Sequence, residues 1–181
     1  MKFRSIFFPI FLLSSANSIA ANSVEDLKPH LQKILQCDPT VFPKTKKQTA
    51  ELSSLKEKLN KSGIKATTSG AGTEIKVTYK FPKGISVFGR EITIIDDLQP
   101  PFVSIKFSIP VADLIKAIEA TNSIKFKTGQ EKNIFEQVTS YKSKVEGEKY
   151  PIEHDITIIA NSKNQSTYIC NYRSTDPEVG G

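Results

Sequence analysis

The chain has 181 residues and a net charge of +6, with 24% of its residues charged. This length suits one domain with a substantial core. The positive excess falls well short of the dense Lys/Arg stripe expected of a nucleic-acid-binding protein. After the N-terminal segment, the sequence contains no apolar run long enough for a transmembrane helix. We therefore expect neither nucleic-acid binding nor a membrane anchor.

Residues 1–21 have the order of a secretory signal peptide. Lys2 and Arg4 give a positive start, an apolar run follows, and small residues end the segment at Ala20 and Ala21. The apolar run is too short to hold the chain in a bilayer, and no cysteine follows it that would accept a lipid. Its removal leaves about 160 residues, the size of one domain. The sequence thus predicts an exported protein, periplasmic in a Gram-negative bacterium or else extracellular.

The predicted domain, residues 22–173, begins with helical patterns. Ser23 can cap a helix that runs to about Gln36, although Pro29 requires either a later start or a kink. A second helix is predicted over 49–61 from leucines at helical spacing. The glycine-rich segment that follows, 67–73, is expected to be a flexible connection.

Strand patterns dominate from residue 74 onward. Clean alternation of apolar and polar residues predicts a half-buried strand over 74–81, followed by a turn at 82–84. A further strand is predicted over 90–95, and the segment 96–101 is expected to break the sheet before the next strand begins at Phe102.

One strong helix interrupts the strands, with apolar residues at helical spacing over 110–121. The segment 131–144 fits either a helix or a strand. Two strands, 154–160 and 166–172, are predicted to form a hairpin, and 174–181 a disordered tail. The sequence therefore predicts an α+β fold: N-terminal helices, then a mostly antiparallel sheet with helix 110–121 packed on it.

Cys37 and Cys170 are the chain's two cysteines. Two distant cysteines in apolar surroundings of an exported protein predict a disulfide. This bridge would tie the end of the first helix to the last strand. Alternation would place Tyr168 and Tyr172 on the same face of that strand as Cys170.

Other chemistry fits these residues less well. A cysteine nucleophile needs a base such as His154, and no cysteine-enzyme signature surrounds either thiol. The two cysteines with His30 and His154 lack the short paired spacing of a zinc site. Asp96 and Asp97 lack the glycine and alternating oxygen ligands of a calcium loop. We therefore expect no catalytic residues, no metal and no cofactor, and a protein that is not an enzyme.

The partner is expected to be another protein. A lysine-rich segment, 42–66, carries seven lysines against two glutamates, and lysines on a helix face can meet an acidic partner. Aromatic and charged residues near loops can anchor an interface. The candidate contact residues are Lys56, Lys58, Lys61, Phe88, Arg90, Asp96 and Asp97.

This order of features resembles that of small bacterial envelope proteins, among them periplasmic lysozyme inhibitors and immunity proteins against toxins, although it matches no motif of either. The first hypothesis is a periplasmic binding or inhibitor protein that blocks a toxin or a cell-wall hydrolase. A carrier or sensor of a lipid or small molecule is the alternative, and it requires an apolar cavity between the sheet and helix 110–121. A hydrolase without a recognisable motif is a third hypothesis. Two formal glycosylation triplets, at Asn60 and Asn164, leave a eukaryotic origin open.

Overall fold

The fold is α+β, as the sequence predicts, and contains two antiparallel sheets. The computed structural model describes residues 23–99, 102–138 and 141–175. The predicted signal peptide and all but the start of the predicted tail lie outside these residues. Within the described part, no helix is long and apolar enough to cross a membrane.

Four α-helices form in the described residues: α1 (Val24–Leu35), α2 (Lys46–Ser53), α3 (Leu55–Lys61) and α4 (Val111–Asn122). Helix α1 begins where Ser23 and Asp26 form a reciprocal capping box. It runs through Pro29, so the later start is wrong. Helix α4 matches the predicted helix 110–121 to within one residue at each end and packs on the larger sheet.

The predicted helix over 49–61 is two helices. Thr45 and Gln48 form a capping box that starts α2 earlier than the leucine pattern suggests. Near its end, the Ser53 and Ser54 hydroxyls donate to the carbonyls of Thr49 and Glu51. Such bonds compete with the helix backbone, which accounts for the break at Ser54.

The strands are β1 (Ala66–Ser69), β2 (Lys76–Val87), β3 (Arg90–Ile95), β4 (Asp97–Gln99), β5 (Phe102–Phe107), β6 (Phe126–Thr128), β7 (Ile134–Gln137), β8 (Tyr141–Ser143), β9 (Ile152–Ser162) and β10 (Gln165–Ser174). The smaller sheet has the order β1-β2-β3. The larger has the order β4-β5-β10-β9-β7-β6, and β8 also pairs with β9. Within the ambiguous segment 131–144, residues 134–137 and 141–143 form strands. Strand β10 extends to Ser174, one residue into the predicted tail.

Two predictions of irregular structure are wrong, and a third is right only in part. The segment 67–73 contributes β1, because its backbone finds hydrogen-bond partners along β2. The segment 96–101 ends the smaller sheet, as predicted, because β3 and β4 belong to different sheets, but its residues 97–99 form β4, which pairs with β5. The predicted turn at 82–84 lies inside β2, where the register with β3 shifts between Lys80 and Ile85. Pro82 is tolerated there because a proline, lacking an N–H, fits an irregular part of a strand.

The turn that does close the β2–β3 hairpin is formed by Phe88 and Gly89, both at positive φ (51° and 70°). A two-residue connection with positive φ at both residues is a type I′ turn, and the twist of this turn matches that of the two strands it joins. Phe88 adopts a backbone conformation that favours glycine, and the residue is only 4% exposed. It packs edge-on against Tyr168, with ring centroids 5.1 Å apart. Burial of this ring between the sheets compensates for the backbone strain.

The core lies between the two sheets and the helices. Alternate residues of β5, β9 and β10 are buried: Val103, Ile105, Phe107, Ile156, Ile158, Tyr168 and Cys170. The predicted bridge is present, because Cys37 and Cys170 form a disulfide with their Cα atoms 5.8 Å apart. It ties the end of α1 to the centre of the larger sheet.

Candidate functional site

A half-open cleft of about 510 Å³ lies beside the disulfide, and we call it the disulfide cleft. This volume falls within the range of small-molecule sites. Three segments distant in sequence form it: the residues after α1, the residues after α4, and the outer strands beside β9. Its lining comprises Cys37, Pro39, Asn122, Ser123, Ile124, Lys125, Gln137, Val138, Tyr141, His154 and Ile156.

The first wall is shaped by the way α1 ends. Cys37 has a left-handed backbone, with φ of 57°. Its N–H donates to Ile34, and the N–H of Asp38 donates to Lys33, a pattern that satisfies the last carbonyls of a helix. Glycine usually occupies this position, but a glycine could not form the bridge to Cys170. The disulfide therefore holds both the helix end and the cleft wall.

The second wall is the end of α4. The Asn122 amide donates to the Gln36 carbonyl at 2.8 Å and so joins the ends of the two helices. Glu119 accepts from the Lys125 ammonium at 3.0 Å and from the Phe126 N–H at 3.1 Å. These hydrogen bonds, led by the one from Lys125, hold the pKa of Glu119 below its ordinary value. The charge of Lys125 is thus paired beside the cleft.

The third wall is a discontinuity in the sheet. Strands β7 and β8 pair with β9 one after the other, and the register changes between Glu136 and Tyr141. Val138 lies at this change with 58% of its surface exposed, and its N–H donates to the Lys125 carbonyl. Tyr141 beyond it is 38% exposed. The discontinuity leaves two apolar side chains at the cleft mouth.

His154 lies against the floor of the cleft in an aromatic stack. Its ring lies 3.6 Å from the Phe42 ring, nearly parallel to it, and 5.5 Å from the Tyr141 ring. Burial lowers the pKa of His154 to about 4. The imidazole is therefore neutral near pH 7, and the cleft combines an apolar interior with no unpaired charge from Lys125 or His154.

The residues predicted to contact a partner lie outside this cleft, in three separate places. Lys56, Lys58 and Lys61 lie on α3, where Lys61 pairs with Glu57 at 2.7 Å. Arg90 is exposed beside the β2–β3 turn, whereas Phe88 in that turn is buried. The roles of the exposed residues in partner binding stay predictions.

Asp96 and Asp97 join the two sheets. Asp96 accepts from the Lys106 N–H at 2.7 Å on β5, and its own carbonyl accepts from the Thr78 hydroxyl on β2. Asp97 is 8% exposed and accepts from the Val77 N–H at 2.9 Å. Both carboxylates thus have structural partners where the chain passes from β3 to β4.

We expect Asp97→Ala to destabilise the fold by about 1–3 kcal/mol, because the buried Val77 N–H would lose its acceptor. Asp97→Asn keeps an acceptor oxygen and is the matched control, with a smaller loss. Urea unfolding of both variants measures the difference. Equal losses would show that the hydrogen bond to Val77 is not the cause.

Sequence reasoning missed the lining residues Asn122, Val138 and Tyr141. The one available signal was the ambiguity of 131–144, which reflects short strands beside a register change. In the described part of the chain, no group of three or more His, Cys, Asp or Glu side chains could hold a metal ion. No family model, curated protein or solved structure matches the chain.

Proposed function

We propose that this chain is an exported binding protein that holds a compact, uncharged apolar molecule in the disulfide cleft. The observation that carries the proposal is the cleft itself, a cavity of about 510 Å³ at the junction of α4 and the larger sheet. Ile124, Val138 and Ile156 offer apolar surface to a ligand, and Tyr141 offers a ring face. The carrier hypothesis calls for an apolar cavity between the sheet and helix 110–121, and the position of the cleft beside the end of α4 supports it.

The disulfide supports the exported location, because such bonds persist in oxidising compartments. A periplasmic site of action is part of the proposal. The bridge also keeps the first cleft wall in place without a ligand, and a preformed site loses less entropy on binding.

Fluorescence titration with N-phenyl-1-naphthylamine, a neutral apolar probe, tests the proposal. We expect Val138→Glu to weaken probe binding by about tenfold, because it places a charge at the mouth of an apolar cleft. Ile94→Glu is the matched control: Ile94 is 44% exposed on β3 and does not line the cleft, so its replacement should leave binding unchanged. No probe binding, or equal effects of the two variants, would overturn the proposal.

An inhibitor of a toxin or cell-wall hydrolase is a second candidate function. The observation that favours it is the exposure of Val138 and Tyr141 at the cleft mouth, since an apolar anchor beside a pocket is typical of protein interfaces. We expect the purified protein to slow digestion of peptidoglycan by a cell-wall hydrolase and Val138→Glu to abolish this effect. If the Val138→Glu and Ile94→Glu variants inhibit the hydrolase equally well, inhibition does not depend on the cleft.

A further inference from the structure

A second cavity, distinct from the disulfide cleft, lies between α1 and the pair α2–α3. We call it the helix groove. It has a volume of about 530 Å³, and Leu27 and Leu52, both buried, form its floor. Its rim carries His30 and Lys33 from α1 and Lys58 from α3. The groove therefore combines an apolar floor with a basic rim.

The charges around the groove are unbalanced. Glu51 on α2 is the single acidic residue in its lining. The neighbouring lysines Lys28 and Lys61 have carboxylate partners, Glu25 at 3.1 Å and Glu57 at 2.7 Å. Among the residues that the structure describes, Lys33 and Lys58 form no ion pair. Two ammonium groups are thus available to a bound anion.

His30 responds to these charges. Partial burial and the Lys58 ammonium lower the pKa of His30; Glu51 opposes this, and Lys33 adds to it. The charged groups that face it come from all three helices around the groove. An anion placed between Lys33 and Lys58 would reverse the lysines' effect and favour the protonated imidazole.

We propose that the helix groove binds a single-chain amphiphile with an anionic head, the head lying between Lys33 and Lys58 and the chain on Leu27 and Leu52. A carboxylate and a phosphate monoester share this chemistry. Charge complementarity at the rim favours an anion, and the apolar floor favours an anion that carries a hydrocarbon chain. His30 makes the binding proton-linked, tighter at pH 5.5 than at pH 7.5.

Isothermal titration of the full chain with decanoate tests the proposal, with decyl phosphate, decanol, acetate and inorganic phosphate as comparisons. We expect decanoate and decyl phosphate to bind and the other three compounds to bind at least about tenfold more weakly. Decanol lacks the anionic head, and acetate and inorganic phosphate lack the hydrocarbon chain. Lys33→Gln with Lys58→Gln should weaken decanoate binding by roughly tenfold. Lys56→Gln with Lys61→Gln removes the same charge from exposed positions outside the groove and should leave binding unchanged.

A second readout concerns His30. His30→Gln should retain decanoate binding at pH 7.5 and lose the increase in affinity at pH 5.5. The proposal is overturned if the two lysine pairs have equal effects, if decanol binds as well as decanoate, or if affinity does not change with pH. It is also overturned if the protein does not bind decanoate and binds only phosphatidylglycerol vesicles or a polyglutamate peptide. Either result would indicate binding to an exposed basic surface and not to the helix groove.

Discussion

Reduction of the Cys37–Cys170 bridge is expected to lower the free energy of unfolding by roughly 3–5 kcal/mol. The two cysteines are 133 residues apart, and the chain-entropy account assigns about 5 kcal/mol to a loop of this length, usually an upper value. The loss is comparable to the whole stability of a marginal domain. Urea unfolding of the oxidised and reduced protein measures it.

The double variant Cys37→Ala with Cys170→Ala separates the cross-link from packing. Both cysteines are buried, at 6% and 0% exposure, so the variant loses buried sulfur atoms in addition to the bridge. Reduced wild-type protein keeps those atoms, and it should therefore be more stable than the double variant. If the oxidised and reduced wild-type proteins unfold at the same urea concentration, the bridge contributes nothing to stability.

Loss of the bridge should also affect the disulfide cleft. Cys37 and its neighbour in the cleft, Pro39, belong to the segment that the bridge fixes against the sheet. Reduction should therefore weaken binding of N-phenyl-1-naphthylamine under conditions where the fold survives. The same bridge that stabilises the domain also keeps the disulfide cleft in shape.

The parts of the fold that the sequence predicted well depend on local periodicity. In β5 and β10, alternation identified the buried face correctly, including Tyr168 and Cys170. The Ser23 cap and helix 110–121 were also recognised, because a cap and an amphipathic stripe involve residues three or four positions apart. The predicted signal peptide and the distant pair of cysteines together predicted the bridge.

The errors arise where distant segments decide the structure. Pro82 and Gly84 suggest a turn, yet Gly84 lies so close to β3 that a Cβ there would overlap the Glu91 side chain. The glycine leaves room for a side chain of the neighbouring strand and does not mark a turn. Nothing within 82–84 distinguishes the two cases.

The cleft was beyond prediction for the same reason. Asn122 reaches Gln36, 86 residues away along the chain, and Val138 reaches Lys125 across two short strands. The exposure of Val138 results from a register change that only pairing with β9 defines. Propensity and spacing carry no information about such contacts.

Acidification is expected to destabilise the fold through His154. The pKa of this histidine is about 4 in the folded protein because of burial, against an ordinary value of 6.5. Between these values the unfolded chain binds the proton more readily, so stability falls as pH drops from about 6.5 to 4 and this loss is complete below 4. The shift corresponds to roughly 3 kcal/mol. The cause is that protonation would place a charge on a buried ring that stacks on Phe42.

His154→Phe isolates this contribution, because phenylalanine keeps an aromatic ring against Phe42 and does not titrate. As the pH falls from 7 to 4, the wild type should lose roughly 3 kcal/mol of unfolding free energy relative to the variant. His30→Gln is the comparison variant: the pKa of His30 is also lowered, but this side chain is much more exposed than that of His154, so its replacement should have a smaller effect on the pH profile. Because Phe42 and His154 fix the loop after α1 to β9, protonation should also loosen the cleft. A pH profile of stability that is the same for wild type and His154→Phe would refute this account.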